Sequence, residues 1–139
     1  MDRREYASPA CLLGDGAVRG GTRPLRVRTK RIYEAPSRTD GYRVLVDRLW
    51  PRGLSKGSAG IAAWAKDLAP TTALRRWFGH APRKWSEFSR RYRAELKAHP
   101  IELDGLRAHA RRRTVTLLYA AKDTEHNHAL ILKAVLESD

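Results

Sequence analysis

Two stretches are apolar on consecutive positions and do not alternate. Residues 42–47 (Tyr-Arg-Val-Leu-Val-Asp) follow an Asp40-Gly41 turn pair, and residues 114–121 (Thr-Val-Thr-Leu-Leu-Tyr-Ala-Ala) follow a run of arginines. Short β-rich runs of this kind predict strands covered on both faces, as in a parallel sheet. Residues 25–33 alternate only partly and predict a first strand with a basic outer face, while 34–40 read as a turn-rich connection. Helical spacing takes over elsewhere. Pro70, Thr71 and Thr72 make a helix entrance with a capping hydroxyl, Leu74, Trp77 and Phe78 follow at helical intervals, and Gly79 stops the run. Pro82 opens a longer helix with Trp85, Phe88, Tyr92 and Leu96 on one stripe, ended by His99-Pro100. Residues 101–112 place Leu103, Leu106 and Ala110 together, with acids early and arginines late, as the helix dipole favours. Residues 127–137 return to helical spacing, whereas 61–70 show no assignable period.

The order is strand, strand, two or three helices, strand, helix. A parallel crossover needs a long connection, so the helical segment between 68 and 113 carries the chain back to a parallel neighbour of the second strand. The expected fold is a small single α/β domain over residues 25–139, a mostly parallel sheet flanked by helices in flavodoxin- or Rossmann-like layering. Residues 1–24, with scattered Gly, Pro and mixed charge, are expected to form a disordered or extended tail.

Composition narrows the functional classes. The chain has 139 residues, 42% of them hydrophobic, which suits one domain with its own core. It holds no apolar run long enough to span a membrane and no signal-peptide segment, so a cytoplasmic protein without a membrane partner is expected. Cys11 is the single cysteine and excludes an internal disulfide. A net charge of +13, from 28 Lys and Arg against 15 Asp and Glu, favours anionic partners. No glycine-rich phosphate loop, paired-cysteine zinc site or G-x-S-x-G elbow is present, and no metal or cofactor is expected.

Ligands of open α/β sheets collect beyond the carboxyl ends of the strands. Two loops qualify. The segment 47–56 delivers Asp47, Arg48, Trp50, Pro51 and Arg52: guanidinium forks for phosphate or carboxylate, and an indole face for stacking. The segment 122–128 supplies Asp123, His126 and Asn127 ahead of a helix N-terminus. If the two strands are parallel neighbours, both loops leave one edge and form a cleft. In that cleft Arg48, Arg52, Lys66 and Asn127 bind a small anionic or nucleotide-like molecule, Trp50 stacks on it, and Asp47, Asp123 or His126 handles protons. Each residue also has an ordinary structural reading: Asp47 as an ion-pair partner of Arg48 or Arg52, Trp50 as satellite core, and the 122–128 loop as a helix cap. The alternative function is nucleic-acid binding or regulation by the basic helices between Arg75 and Arg113, with Arg90, Arg91, Arg111 and Arg112 on phosphates.

The segments Lys30-Arg31-Ile32-Tyr33, Asp47-Arg48-Leu49-Trp50-Pro51-Arg52-Gly53, Trp64-Ala65-Lys66-Asp67-Leu68-Ala69-Pro70 and Leu117 to Asp123 before His126-Asn127-His128-Ala129 resemble those of the YeaO-like proteins, a domain family of unknown function numbered 488. The resemblance runs from about Val27 to Leu136. It implies an α/β fold and a cytosolic bacterial or archaeal setting, and it brings no assigned activity.

Overall fold

The structure, a computed structural model, describes residues 25–138. The expected tail and Cys11 lie outside the described residues. Four parallel strands form one sheet: β1 (Val27–Arg31), β2 (Tyr42–Leu45), β3 (Ala63–Trp64) and β4 (Val115–Tyr119), in the order β1-β4-β2-β3. Among the described residues five α-helices accompany them: α1 (Lys56–Ala59), α2 (Thr72–Phe78), α3 (Trp85–Leu96), α4 (Pro100–Arg112) and α5 (His128–Glu137). The expected small α/β domain with a parallel sheet is the architecture found. β4 enters between β1 and β2, pairing Val27 with Val115 on one side and Tyr42 with Val115 on the other. Every residue of β4 is buried, which is why its run is apolar without alternation.

The two sheet faces are packed differently. On one face Val44, Val46, Val115, Leu117 and Tyr119 meet Leu74 and Phe78 of α2, Phe88, Tyr92 and Leu96 of α3, Leu103, Leu106 and Ala110 of α4, and Ile131, Leu132 and Leu136 of α5. The other face is covered without a long helix: Ile32, Leu45 and Leu118 pack against Ala59, with Trp50, Leu54, Ile61 and Trp64 closing the layer. Beside this smaller core, Asp40, 1% exposed, accepts from Lys30 Nζ at 3.0 Å, Arg43 Nη1 at 2.5 Å and the Ser37 amide at 3.0 Å. Arg43 also donates to the Gly60 and Ala59 carbonyls, so the buried charges are paired and their hydrogen-bonding capacity is used.

Local chemistry sets the helix ends near the carboxyl edge. Thr71 caps α2 by accepting from the Leu74 amide at 3.2 Å, and Glu95 of α3 accepts from both the Thr71 amide and its hydroxyl. Gly79 ends α2 in the left-handed conformation. Asn127 caps α5. At the opposite edge Gly41 sits at φ 65°, where a Cβ would lie 2.2 Å from the Thr114 carbonyl oxygen, so only glycine permits the turn into β2 to press against the entry to β4.

β3 has no counterpart in the expected elements. Two residues are too short for a periodic signal, and their strand geometry comes from pairing with the exposed side of β2, Val44 to Ala63 and Leu45 to Trp64.

Candidate functional site

Because β2 and β4 are parallel neighbours, the loops after both emerge at one edge and enclose a cavity of about 340 Å³. Asp47 joins the two strand ends. Its Oδ2 accepts from the Ala120 amide at 2.9 Å, while Arg31 donates from Nε and Nη2 to the Ala121 and Ala120 carbonyls. Asp47 Oδ1 lies 3.1 Å from His128 Nε2. That nitrogen also lies 2.9 Å from the Val46 carbonyl. A carbonyl only accepts, so Nε2 carries a proton directed at Val46, and Oδ1, itself buried, has no well-aligned donor among the described residues.

The walls divide into an apolar side and a cationic rim. Phe78, Phe88, Trp50, Pro51, Ala120 and Ala121 supply hydrophobic surface, and Arg48, Arg52 and Arg75 bring positive charge against the single carboxylate of Asp47. Arg52 is exposed and its guanidinium pairs with no described residue, while its carbonyl accepts from the Tyr33 hydroxyl at 2.9 Å. Arg75, also exposed and unpaired among the described residues, reaches the cavity from α2. Arg48 is partly committed: Nε and Nη2 donate to the Pro70 and Ala69 carbonyls at 3.1 Å each, and Nη1 makes no hydrogen bond to a described residue. His80 lines the rim in the left-handed region at φ 56°, an uncommon conformation for a residue with a Cβ.

The sequence-derived candidates separate in three dimensions. Asp47, Arg48, Trp50, Arg52, His126 and Asn127 line the one cavity. Asp123 does not. Its Oδ1 accepts the Glu125 and His126 amides at 2.8 and 3.0 Å and its Oδ2 lies 3.1 Å from His126 Nδ1, so it shapes the loop and orients the His126 ring, which stands edge-on to Trp85. The Glu125 amide, followed by the two His126 contacts, holds this carboxyl below the usual aspartate range. Lys66 is also outside the lining: the expectation that it joins the site is corrected, because the turn after β3 carries its ammonium out over the Trp64 ring, 4.8 Å from the centroid.

Asn127 borders the cavity with its polar atoms already used. Oδ1 accepts from the Leu130 amide at 3.3 Å and Nδ2 donates to the Asp123 carbonyl at 3.0 Å, with 2% of the residue exposed. Trp50 donates from Nε1 to the Leu54 carbonyl at 2.7 Å and meets Trp64 edge-on, so it serves the smaller core as well as the cavity wall. Among the described residues no group of three or more His, Cys, Asp or Glu is arranged to hold a metal ion.

The family model described as "Inactive DUF488-N3 subclade" matches residues 26–139. The chain belongs to this DUF488 family. It is 41% identical over 114 residues to the "Uncharacterized protein YeaO" of Escherichia coli K12, covering 82% of this chain and 99% of that protein. It is 40% identical over 114 residues to the "Uncharacterized protein Rv3073c" of Mycobacterium tuberculosis H37Rv, covering 82% of this chain and 96% of that protein, and to the "Uncharacterized protein Mb3100c" of Mycobacterium bovis to the same extent. No solved structure matches.

In this DUF488 member the arginines considered for nucleic acid fall into two groups. Arg90 and Arg91 on α3 both pair with Glu87, whose carboxyl they hold down to about 2, and Arg91 also lies over Trp77. Arg111 and Arg112 end α4 at the far edge of the sheet, exposed and without ion pairs to described residues. The expected α3–α4 belt is thus broken by Glu87. No described helix is long and apolar enough to cross a membrane.

Residues missed from the sequence are Tyr33, Arg75, His80 and the His128–Asp47 contact. Arg75 and His80 reach the cavity because α2 docks at the carboxyl edge, a tertiary placement with no local signal. His128 did have one: it stands in the first turn of a helix following a buried strand.

Proposed function

We propose that the protein binds a small anionic, nucleotide-like molecule in the cavity between the 47–56 and 122–128 loops. The observation carrying this reading is the charge imbalance of the lining: Arg48, Arg52 and Arg75 against Asp47 alone, set around an apolar interior. A guanidinium fork matches phosphate or carboxylate oxygens, and the aromatic and proline surfaces suit a planar or apolar body attached to that anion. The volume of about 340 Å³ is near the lower end for ligand pockets, which favours one small molecule over a polymer.

Binding without turnover is the form the reading takes. Asp47 and Asp123 are occupied in holding backbone, and the matching family model is described as inactive. Arg52 and Arg75 make the primary anion contacts, Arg48 assists through Nη1, and His126 contributes an imidazole fixed by Asp123. Calorimetric titration of the full chain with inorganic phosphate and a series of nucleoside monophosphates tests it. The expected result is binding of at least one of these anions, weakened at least tenfold by Arg52→Ala and by Arg75→Ala with unchanged melting temperature. Absence of binding across the series, or affinity indifferent to both substitutions, overturns the reading.

A further inference from the structure

Arg111, Arg112 and Arg113, too far round the sheet to serve the cavity, meet other arginines at the amino edge. The Val115 amide donates to the Arg26 carbonyl at 2.8 Å and the Arg26 amide lies 3.4 Å from the Ala110 carbonyl, which fixes the entry to β1 beside the end of α4. The Gly41 turn closes the other side against Thr114 and carries Arg38 with it, while Arg28 reaches over the same turn to donate to the Thr39 carbonyl at 3.2 Å. We propose that Arg26, Arg28, Arg38, Arg111, Arg112 and Arg113 form a second binding surface, distinct from the cavity, that takes the phosphate backbone of a nucleic acid.

Three observations carry this further than a general excess of charge. All of these arginines are exposed and none forms an ion pair with a described residue. The acids beside these arginines are engaged, Asp40 by Lys30 and Arg43 and Asp104 by Arg107, while Glu34 follows β1 at the opposite, carboxyl edge and lies 3.4 Å from the Arg31 amide. His109, stacked on Tyr42 at 4.0 Å, has its pKa lowered by burial and by Arg112 and Arg113, in keeping with a positive local potential. By contrast α3 carries Glu87 between its arginines.

The chemistry favours nucleic acid over an anionic membrane. Guanidinium groups bind phosphate bidentately, and Arg113 lies over the Tyr42 ring, which orders its fork. Stable docking on an anionic membrane takes an apolar signal beside the basic charge. The large exposed hydrophobics among the described residues lie elsewhere: Tyr33 and Leu49 border the cavity at the carboxyl edge, and Ile101 begins α4, roughly 15 Å along the helix from its arginine end. With Tyr42 covered by His109 and no other aromatic ring at this edge among the described residues, the surface reads backbone and not base identity.

Fluorescence anisotropy with labelled 20-mers, as single-stranded RNA, single-stranded DNA and duplex DNA, tests the proposal at 50 and 200 mM NaCl. About six phosphate contacts predict a log–log salt slope near −5 on duplex DNA and an affinity loss of about a thousandfold between those salts. The R111A/R112A/R113A variant is expected to lower the slope by about 2–3 and weaken binding at least tenfold at 50 mM; R26A/R28A, a separate variant, acts in the same direction. R52A/R75A leaves nucleic-acid affinity unchanged, so failure here and failure at the cavity are read independently. Circular dichroism confirms that each variant is folded. The proposal is overturned by no binding at 50 mM salt, by binding indifferent to both arginine-edge variants, or by equal capture on anionic phospholipid vesicles.

Discussion

Asp47 Oδ2 accepts from the Ala120 amide at 2.9 Å, a side chain at the end of β2 replacing the ladder bond that β4 would otherwise seek at its own end. One carboxylate therefore sets the separation of the two loops that make the cavity. Removing it leaves the part-buried Ala120 amide without its partner. Asp47→Ala is expected to cost about 1–3 kcal/mol in urea unfolding, with Asp47→Asn costing less because its oxygen keeps the Ala120 bond. The two variants diverge in binding. Asp47→Asn also removes the only negative charge of the lining, so phosphate affinity measured by calorimetry is expected to rise while Asp47→Ala loses it with the loop geometry.

The buried Asp40 cluster predicts a dependence of stability on pH. Burial works against the charged carboxylate, but Lys30, the Ser37 amide and Arg43 together outweigh it and hold the pKa below the ordinary value of 3.8. A group depressed in the folded state contributes stability that is complete above its unfolded pKa and is lost as pH falls through the folded value. Wild type should therefore exceed Asp40→Asn in melting temperature by a constant margin above about pH 5, and the margin should shrink as pH falls below about 4. Asp40→Ala, leaving the buried Arg43 and the half-buried Lys30 without their carboxylate, is expected to cost about 3–5 kcal/mol at neutral pH. A margin that grows on acidification would contradict the assignment.

The parts of this arrangement that could be read in advance are those with local causes. Val44 to Val46 and Val115 to Tyr119 are buried on both faces and so are written as unbroken apolar runs; the helix stripes of Phe88, Tyr92 and Leu96 follow from one-sided burial. Parallel pairing of β2 with β4 then brings Arg48, Arg52 and His126 to one edge by topology alone. What local pattern does not encode is docking. α2 brings Arg75, and the turn after it His80, to the cavity; β3 borrows its geometry from β2; and Lys66 lies over the Trp64 ring, whose Nε1 donates to the Asp47 carbonyl. Asp123 and Asn127 took their structural roles because short polar side chains before a helix satisfy free amides first.

Gly41 is the point where the amino edge is set. Its φ of 65° with ψ of −124° belongs to a region that residues with a Cβ avoid, and the added methyl would meet the Thr114 carbonyl oxygen at 2.2 Å. Gly41→Ala is expected to lose about 1–3 kcal/mol from backbone strain, with the carbonyl clash adding to it. Thermal unfolding measures the loss. A change within the range of ordinary surface substitutions would show that the turn can open.

Tyr92 donates from its hydroxyl to the Leu68 carbonyl beneath the cavity wall, and its ring meets His128 edge-on. Burial raises its pKa well above the ordinary tyrosine value, so it stays a neutral donor across the working pH range. Tyr92→Phe keeps the ring and orphans the carbonyl, which predicts a loss of about 1–3 kcal/mol in denaturant unfolding with phosphate affinity little changed.

Asn127 provides the sharpest separation of structure from ligand contact, because it borders the cavity while both polar atoms of its side chain serve the backbone. Asn127→Ala removes the cap of α5 and the bond to the Asp123 carbonyl, for an expected loss of about 1–2 kcal/mol. Asn127→Asp keeps a capping oxygen, so it should recover most of the Leu130 contact, yet it places a second carboxylate beside the arginine rim. Stability and affinity should thus move apart: the aspartate variant is nearer wild type in unfolding and weaker than the alanine variant in calorimetric titration with phosphate. If Asn127 instead contacted the anion directly, the alanine variant would lose phosphate affinity as well, beyond anything its stability explains.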